Sequence, residues 1–211
     1  MTYIKQNIDR LKNEIPSNIT IMAVTKGQTI QNILEALNYG IDTIGENRIQ
    51  EAREKFPHLP KHIKKHLIGH LQTNKTKDAI QLFDLIESVD SEKLACEINK
   101  QMKKLGGKMP IFIQVNISRE PQKSGILEED LESLIKTIKT LPYIELKGLM
   151  AIAKDTTDQD ITHRQFSKMQ QLRNKYNLEG LSIGMSQDYK EAIKYCPTQV
   201  RLGSAIFDNL L

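Results

Sequence analysis

Short runs rich in β-branched residues alternate with longer stretches of helical period along the whole chain, and no other feature restricts its fold as tightly. Alternation of this kind builds a parallel sheet, because the chain must cross back over a helix before a neighbouring strand can run the same way. Strand-like runs fall at 20–24, 43–45, 65–68, 85–89, 110–115, 144–150, 181–184 and 198–202. Between them lie apolar stripes such as Ile30/Ile33/Leu34/Leu37, Leu94/Ile98/Met102/Leu105 and Leu127/Leu131/Leu134/Ile138/Leu141. A further stripe of Ile4, Ile8, Leu11 and Ile15 precedes the first strand. Strand–helix units in this number close into a (β/α)8 TIM barrel, a fold that takes about 200 residues at its smallest. The chain has 211. The expectation is therefore a single α/β domain over residues 1–211 with an extra N-terminal helix, and no Pro-, Gly- or Ser-rich linker divides it. The competing architecture, an open doubly wound sheet that binds a dinucleotide, wants Gly-x-Gly-x-x-Gly after its first strand. That position reads Ala23-Val24-Thr25-Lys26-Gly27-Gln28.

Composition removes several classes of function. With 30 Lys plus Arg against 26 Asp plus Glu, the net charge is +4 and the two signs are interleaved. No basic stripe or tail marks a nucleic-acid partner. Cys96 and Cys196 stand far apart in the chain, which gives neither a disulfide framework nor metal-ligand spacing, so a reducing cytosol is the expected compartment. The first ten residues carry charges and lack the apolar core of a signal peptide. No segment reaches the roughly 20 apolar residues that cross a bilayer, and no membrane role is expected.

In a barrel of this topology chemistry sits where the strands end. Lys26 follows the first strand directly. There, apolar walls would disfavour the ammonium and leave an amine able to attack an aldehyde. The seventh strand ends in Gly184-Met185-Ser186, and the eighth in Arg201-Leu202-Gly203-Ser204 ahead of a short helical segment, 205–211. The loops after these two strands commonly hold phosphate. Gly203 permits close approach of the backbone, and Ser186 and Ser204 offer hydroxyls. A surface lysine and an ordinary Gly-Ser loop with its N-cap would leave the same residues. Taken together, an amine on one side and a phosphate cradle on the other describe the two ends of a phosphorylated aldehyde, and pyridoxal 5′-phosphate is such a ligand. His66 and His70 are four apart, yet no carboxylate or cysteine cluster accompanies them, and no metal site is expected.

A longer set of motifs carries a resemblance. It comprises Ala23-Val24-Thr25-Lys26, Gly45-Glu46-Asn47, His66-Leu67-Ile68-Gly69-His70-Leu71-Gln72-Thr73-Asn74-Lys75, Gln122-Lys123-Ser124-Gly125, Gly148-Leu149-Met150, Ser182-Ile183-Gly184-Met185-Ser186-Gln187-Asp188 and Val200-Arg201-Leu202-Gly203-Ser204-Ala205-Ile206-Phe207. With these motifs in this order the sequence resembles the pyridoxal-phosphate homeostasis proteins, the YggS/PROSC family of alanine-racemase-like barrels (pyridoxal-phosphate fold type III). The resemblance implies that Lys26 carries the cofactor as a Schiff base, that Ser186, Gly203 and Ser204 hold its phosphate and that Arg201 faces the pyridine nitrogen. Asn47 and Met150 are implied to lie near the ring, although an Asn after a strand also forms turns and a Met also fills cores. Lys75 and Lys123 fall in such motifs too, where solvated loop lysines are the ordinary reading.

The implied function is a cytoplasmic, monomeric carrier that holds the cofactor and releases it to apo-enzymes without turnover. An Arg at the ring nitrogen keeps that nitrogen unprotonated and weakens the ring as an electron sink. An amino-acid racemase, or an aldolase-like Schiff-base enzyme without the cofactor, stays as an alternative. The sequence departs from the family pattern at Arg48 and Lys65, where aromatics are usual, and at Asp208, where Gly is usual. A more polar wall and an altered loop beyond the phosphate are expected from these changes.

Overall fold

The computed structural model describes residues 2–209. Eight strands pair in sequence order, each parallel to the next, and β8 returns to β1, so the sheet is a closed barrel. The strands are β1 (Thr20–Val24), β2 (Thr43–Glu46), β3 (Lys64–Leu67), β4 (Leu85–Val89), β5 (Met109–Val115), β6 (Ile144–Ala151), β7 (Gly180–Met185) and β8 (Gln199–Leu202). Helices α1 (Tyr3–Glu14), α2 (Ile30–Asn38), α3 (Ile49–Lys55), α4 (Thr76–Leu82), α5 (Glu92–Leu105), α6 (Glu128–Lys139), α7 (Gln159–Lys175), α8 (Tyr189–Ala192) and α9 (Ser204–Phe207) precede, separate and follow them. Several helices begin where a polar side chain takes up an orphan N–H: Thr29 accepts from Asn32, Ser91 from Leu94, and Asp158 from Asp160 and Ile161.

The apolar stripes read from the sequence face the barrel's outer wall. Ile33 and Ala36 of α2, Leu94, Ile98 and Met102 of α5, and Leu131, Leu134 and Ile138 of α6 are buried in one continuous core with Ala23, Ile111, Ile113 and Leu181 of the strands. The stripes overrun at their ends: Leu105 and Leu127 are exposed, because the helix has turned its last or first residue off the sheet. Strand limits shift by a residue or two from the pattern, β3 starting at Lys64 and β7 running from Gly180 to Met185. The expected leading helix is α1. Its buried face of Ile4, Asn7, Ile8 and Leu11 reaches across to α9, where the Asn7 amide donates to the carbonyls of Ile206 (3.0 Å) and Asp208 (2.9 Å).

The expected final segment is corrected. Only Ser204–Phe207 is helical, Asp208 is extended, and residues 210–211 lie outside the described range. The carbonyls of Ile206 and Asp208, where a longer helix would continue its own bonding, are taken by Asn7.

Inside the barrel, space is rationed by glycine. A Cβ on Gly180 of β7 would lie 2.3 Å from Cζ of Phe112, whose buried ring fills that level of the interior. Gly180→Ala must push the ring into a packed wall, and overpacking of this sort costs about 1–3 kcal/mol. We expect the urea midpoint to fall accordingly, with the co-substitution Phe112→Leu restoring part of the loss.

Candidate functional site

Three adjacent strands bring the chemistry-bearing residues of the first, seventh and eighth strand ends to one side of the barrel mouth. In the register, Arg201 of β8 sits opposite Met22 of β1 on one flank and Met185 of β7 on the other. The chain then leaves β1 through Thr25 to Lys26, leaves β7 at Ser186, and leaves β8 at Gly203 and Ser204. A Cβ built on Gly203 would touch Cβ of Val24 at 3.7 Å, so the ends of β1 and β8 are in contact above Arg201.

Lys26 is exposed in the turn beyond β1, while Thr25 before it is fully buried. The apolar enclosure expected around the Lys26 amine is therefore absent. β1 stops at Val24, and the turn carries the next residues over the rim into solvent.

Arg201 is deeply buried, 3% exposed. Its Nη1 donates to Ser182 Oγ (2.6 Å) and its Nη2 to the Ala151 carbonyl (2.7 Å), which fixes the guanidinium plane. Burial pushes its pKa down, against the pull of Glu87 and Asp188, but an arginine remains a cation in any ordinary protein setting. Beneath it a polar column descends the barrel interior: Glu87 is wholly buried, its Oε1 within 2.7 Å of His66 Nδ1 and accepting from the Gln199 amide. Burial pushes the Glu87 carboxyl up, and the hydrogen bond and charge of His66 together with the Arg201 charge outweigh it, leaving the group below its ordinary 4.5. Asp188, mostly buried beside the β7 end, moves the other way: desolvation raises it despite the Met185 N–H that it accepts and the nearby Arg201.

The loops after β7 and β8 meet through backbone and hydroxyl. The N–H groups of Gly203 and Ala205 both donate to Ser186 Oγ, each at 3.1 Å, so donors from the β8 loop converge on a half-buried hydroxyl from the β7 loop. Ser204 is exposed beside them. A helix as short as Ser204–Phe207 cannot sum much of a dipole. Arg10, Lys190 and Tyr189 share a cleft of about 440 Å³ with Ser186 and Ser204. Arg10 is held there by the Tyr189 hydroxyl (3.1 Å) and the Ala205 carbonyl (3.3 Å). Burial and Glu14 push the Tyr189 phenol up, and it stays protonated.

Asn47 follows the end of β2 on the other side of the mouth. Its Oδ1 is buried and accepts no hydrogen bond within the protein. It lines a smaller cleft with Gly69, His70, Gln114, Asn116, Lys123 and Ser124, apart from the one that Ser186 and Ser204 line. Met150 is fully buried in β6, in register with Gln114 and Ser182, and so forms floor rather than wall. Lys123 is tied to the Ala153 carbonyl and Glu120, and Lys75 is exposed. Arg48 does add charge to the wall, beside Asn47 and His70, whereas Lys65 lies against the Phe56 ring outside the barrel and leaves the mouth unchanged. Among the described residues no group of three or more His, Cys, Asp or Glu side chains is placed to hold a metal ion.

The sequence matches the alanine racemase N-terminal domain family over residues 1–209. A relative named pyridoxal phosphate homeostasis protein, from Vibrio alginolyticus, is 33% identical over 227 aligned positions that span 98% of this chain and 97% of that one. The chain belongs to the pyridoxal phosphate homeostasis protein family. A solved structure of PipY from Synechococcus elongatus PCC7942, with PLP bound, has 31% identity and a TM-score of 0.88, covering 97% of this chain and 99% of PipY. Alanine racemase from Clostridium difficile 630, at 18% identity and a TM-score of 0.84, shares the fold over 98% of this chain but only 56% of its own.

Against the motifs of this homeostasis family, the residues that sequence reasoning passed over are those without a strand-end position. Glu87 and Gln199 lie within strands, where alternation marks them only as inward, and Ser182, though part of a motif, carries no role there. A carboxylate in an otherwise apolar strand, Leu85-Ile86-Glu87-Ser88-Val89, was the available signal.

Because the Glu87 pKa is lowered on folding, its contribution to stability is present above the ordinary 4.5 and is lost as pH falls through the depressed folded value. Glu87→Gln cannot titrate and should flatten that part of the acid limb in urea melts. It should also cost about 1–3 kcal/mol at neutral pH through its weaker bonds to His66 and Gln199.

Proposed function

We propose that this chain binds pyridoxal 5′-phosphate in one domain spanning residues 1–211, with Lys26 as the covalent anchor, Ser186, Gly203 and Ser204 on the phosphate, Arg201 at the pyridine nitrogen and Asn47 and Met150 near the ring. The observation that carries the reading is the register that sets a buried Arg201 between the strand leading to Lys26 and the strand leading to Ser186. The structure of PipY with PLP bound, a relative matched over nearly its whole length, supports it.

The residues present suit the group. The two N–H donors aimed at Ser186 Oγ are the kind that a phosphate oxygen accepts. Asn47 Oδ1 is a buried acceptor in need of a donor, which a ring hydroxyl supplies. The cofactor's aldehyde condenses reversibly with a primary amine, a C=N bond replacing C=O as the oxygen leaves with the two amine protons as water. Lys26 offers that amine from an exposed turn, where water and recipient proteins can reach it and where release is as easy as capture.

Arg201 favours holding over turnover. A permanent cation fixed by Ser182 and Ala151 would donate a hydrogen bond to the ring nitrogen without protonating it, and so would leave the bound ring a poor electron sink for a Cα bond. Tyr189, the tyrosine beside the cradle, is committed to Glu14 and Arg10 rather than free to shuttle a proton. This supports a carrier that passes the cofactor to apo-enzymes. Cytosolic work as a monomer fits the free thiols of Cys96 and Cys196, and no helix among the described residues is long and apolar enough to cross a membrane.

Mixed with pyridoxal phosphate, the purified protein should turn yellow, and Lys26→Ala should lose that absorption band. A protein that stays colourless would speak for an aldolase-like amine instead. In the same preparation, proton exchange at Cα of a panel of amino acids should run no faster than with free cofactor; clear acceleration would make it an enzyme.

A further inference from the structure

Beside the Lys26 turn lies a charged cluster that cofactor binding as proposed does not use. Glu46, the last residue of β2, is wholly buried, and Lys55, the last residue of α3, is nearly so. Their ion pair is 3.0 Å long, and Glu51, one turn earlier on α3, meets the same ammonium at 2.6 Å. Buried charges of this kind are weak contributors to stability, since apolar side chains of similar volume would serve a core as well or better.

Every other bond of the cluster leads to the turn or to Asn47. The Lys55 ammonium donates to the Thr25 carbonyl (2.8 Å), and the Thr25 hydroxyl donates to Glu46 Oε2 (2.9 Å). The Gly27 N–H donates to Glu51 Oε2 (3.0 Å), and the Asn47 N–H donates to Glu46 Oε1 (2.8 Å). Gly27 has φ +70°, a conformation that glycine adopts freely and other residues rarely do, so the turn takes this shape without strain and the Glu51 bond selects it. The residues on both sides of Lys26 are thus pinned by one cluster, while the Lys26 side chain stays unrestrained.

We infer that Glu46, Lys55 and Glu51 are positioning residues for Lys26: the cluster clamps Thr25 and Gly27 so that the amine between them is presented to the aldehyde, and the same Glu46 sets Asn47. This rests on the reading of Lys26 as the anchor. Glu51 bonds only to Lys55 and to the Gly27 N–H, so its part of the cluster bears on the covalent half of binding, whereas Glu46 also reaches Asn47 and through it the ring.

That separation can be measured with two ligands. Pyridoxal phosphate has the aldehyde; pyridoxamine phosphate has the same ring and phosphate but cannot bond to an amine through it. Affinities of both are to be determined by titration calorimetry for the wild-type protein, Lys26→Ala, Glu51→Ala and the double variant Glu46→Gln/Lys55→Met. Glu51→Ala leaves the buried pair in place, and the double variant removes both of its members, so that the one carboxylate left without its ammonium is the part-exposed Glu51. The expected result is a loss of about tenfold or more for pyridoxal phosphate in both cluster variants, larger in each than the loss for pyridoxamine phosphate, which in Glu51→Ala stays within about twofold. In stopped-flow, growth of the yellow band should slow in parallel.

Equal weakening of both ligands would make the cluster merely structural and overturn the inference, as would variants that bind pyridoxal phosphate like wild type. Failure of the underlying reading looks different: Lys26→Ala would then bind pyridoxal phosphate as tightly as the unchanged protein and show the same band.

Discussion

Pairing between β1 and β8, with Thr20 opposite Gln199 through to Ala23 opposite Leu202, is the contact on which the rest of the molecule depends. It removes the last two free edges of the sheet, and it does so between segments nearly the whole chain apart. It also fixes what stands beside what at the mouth. A slip of one residue would turn Arg201 from the interior to the helix-facing side and move Gly203 away from Val24. The site is therefore a property of closure, with each strand contributing one position whose value depends on its neighbours' register.

The interior beneath the site departs from the layers of branched apolar residues that usually fill such barrels. His66, Glu87, Ser182, Gln199 and Arg201 form a buried polar column instead, satisfied almost throughout, with Phe112 and Met22 as the apolar filling at other levels. Networks of this kind add little net stability and much definition, because every member loses its partner if one rotates. Arg201 is oriented by its two acceptors, and Glu87 supplies the negative charge that makes a buried guanidinium tolerable. The same logic operates at the rim, where Glu46 and Lys55 spend their charges on backbone groups near Lys26.

Strand order, closure and the leading helix were all legible in the sequence, since eight β-branched runs with helical stripes between them admit few topologies. Lys26, Ser186, Arg201 and Gly203 were legible as strand-end residues for the same reason. What could not be read was anything set by the far end of a side chain. Lys26 was expected among apolar walls and is exposed, because where a strand stops within a residue or two decides which side chain is covered. Lys55 looks like any helix-terminal lysine until its ammonium is seen to pass under Thr25. The one-turn length of α9 was hidden too, since the bonds its end makes, from Asn7 of α1, join residues far apart in the sequence.

That clamp couples distant parts of the chain. Asn7 joins partners 199 and 201 positions away, so the seating of α1 and the shape of the turn after β8 depend on one amide. The same turn carries the Gly203 and Ala205 N–H groups that meet Ser186. Loosening α1 would accordingly be felt at the β7–β8 loops as well as on the apolar side of Ile4, Ile8 and Leu11 that it buries.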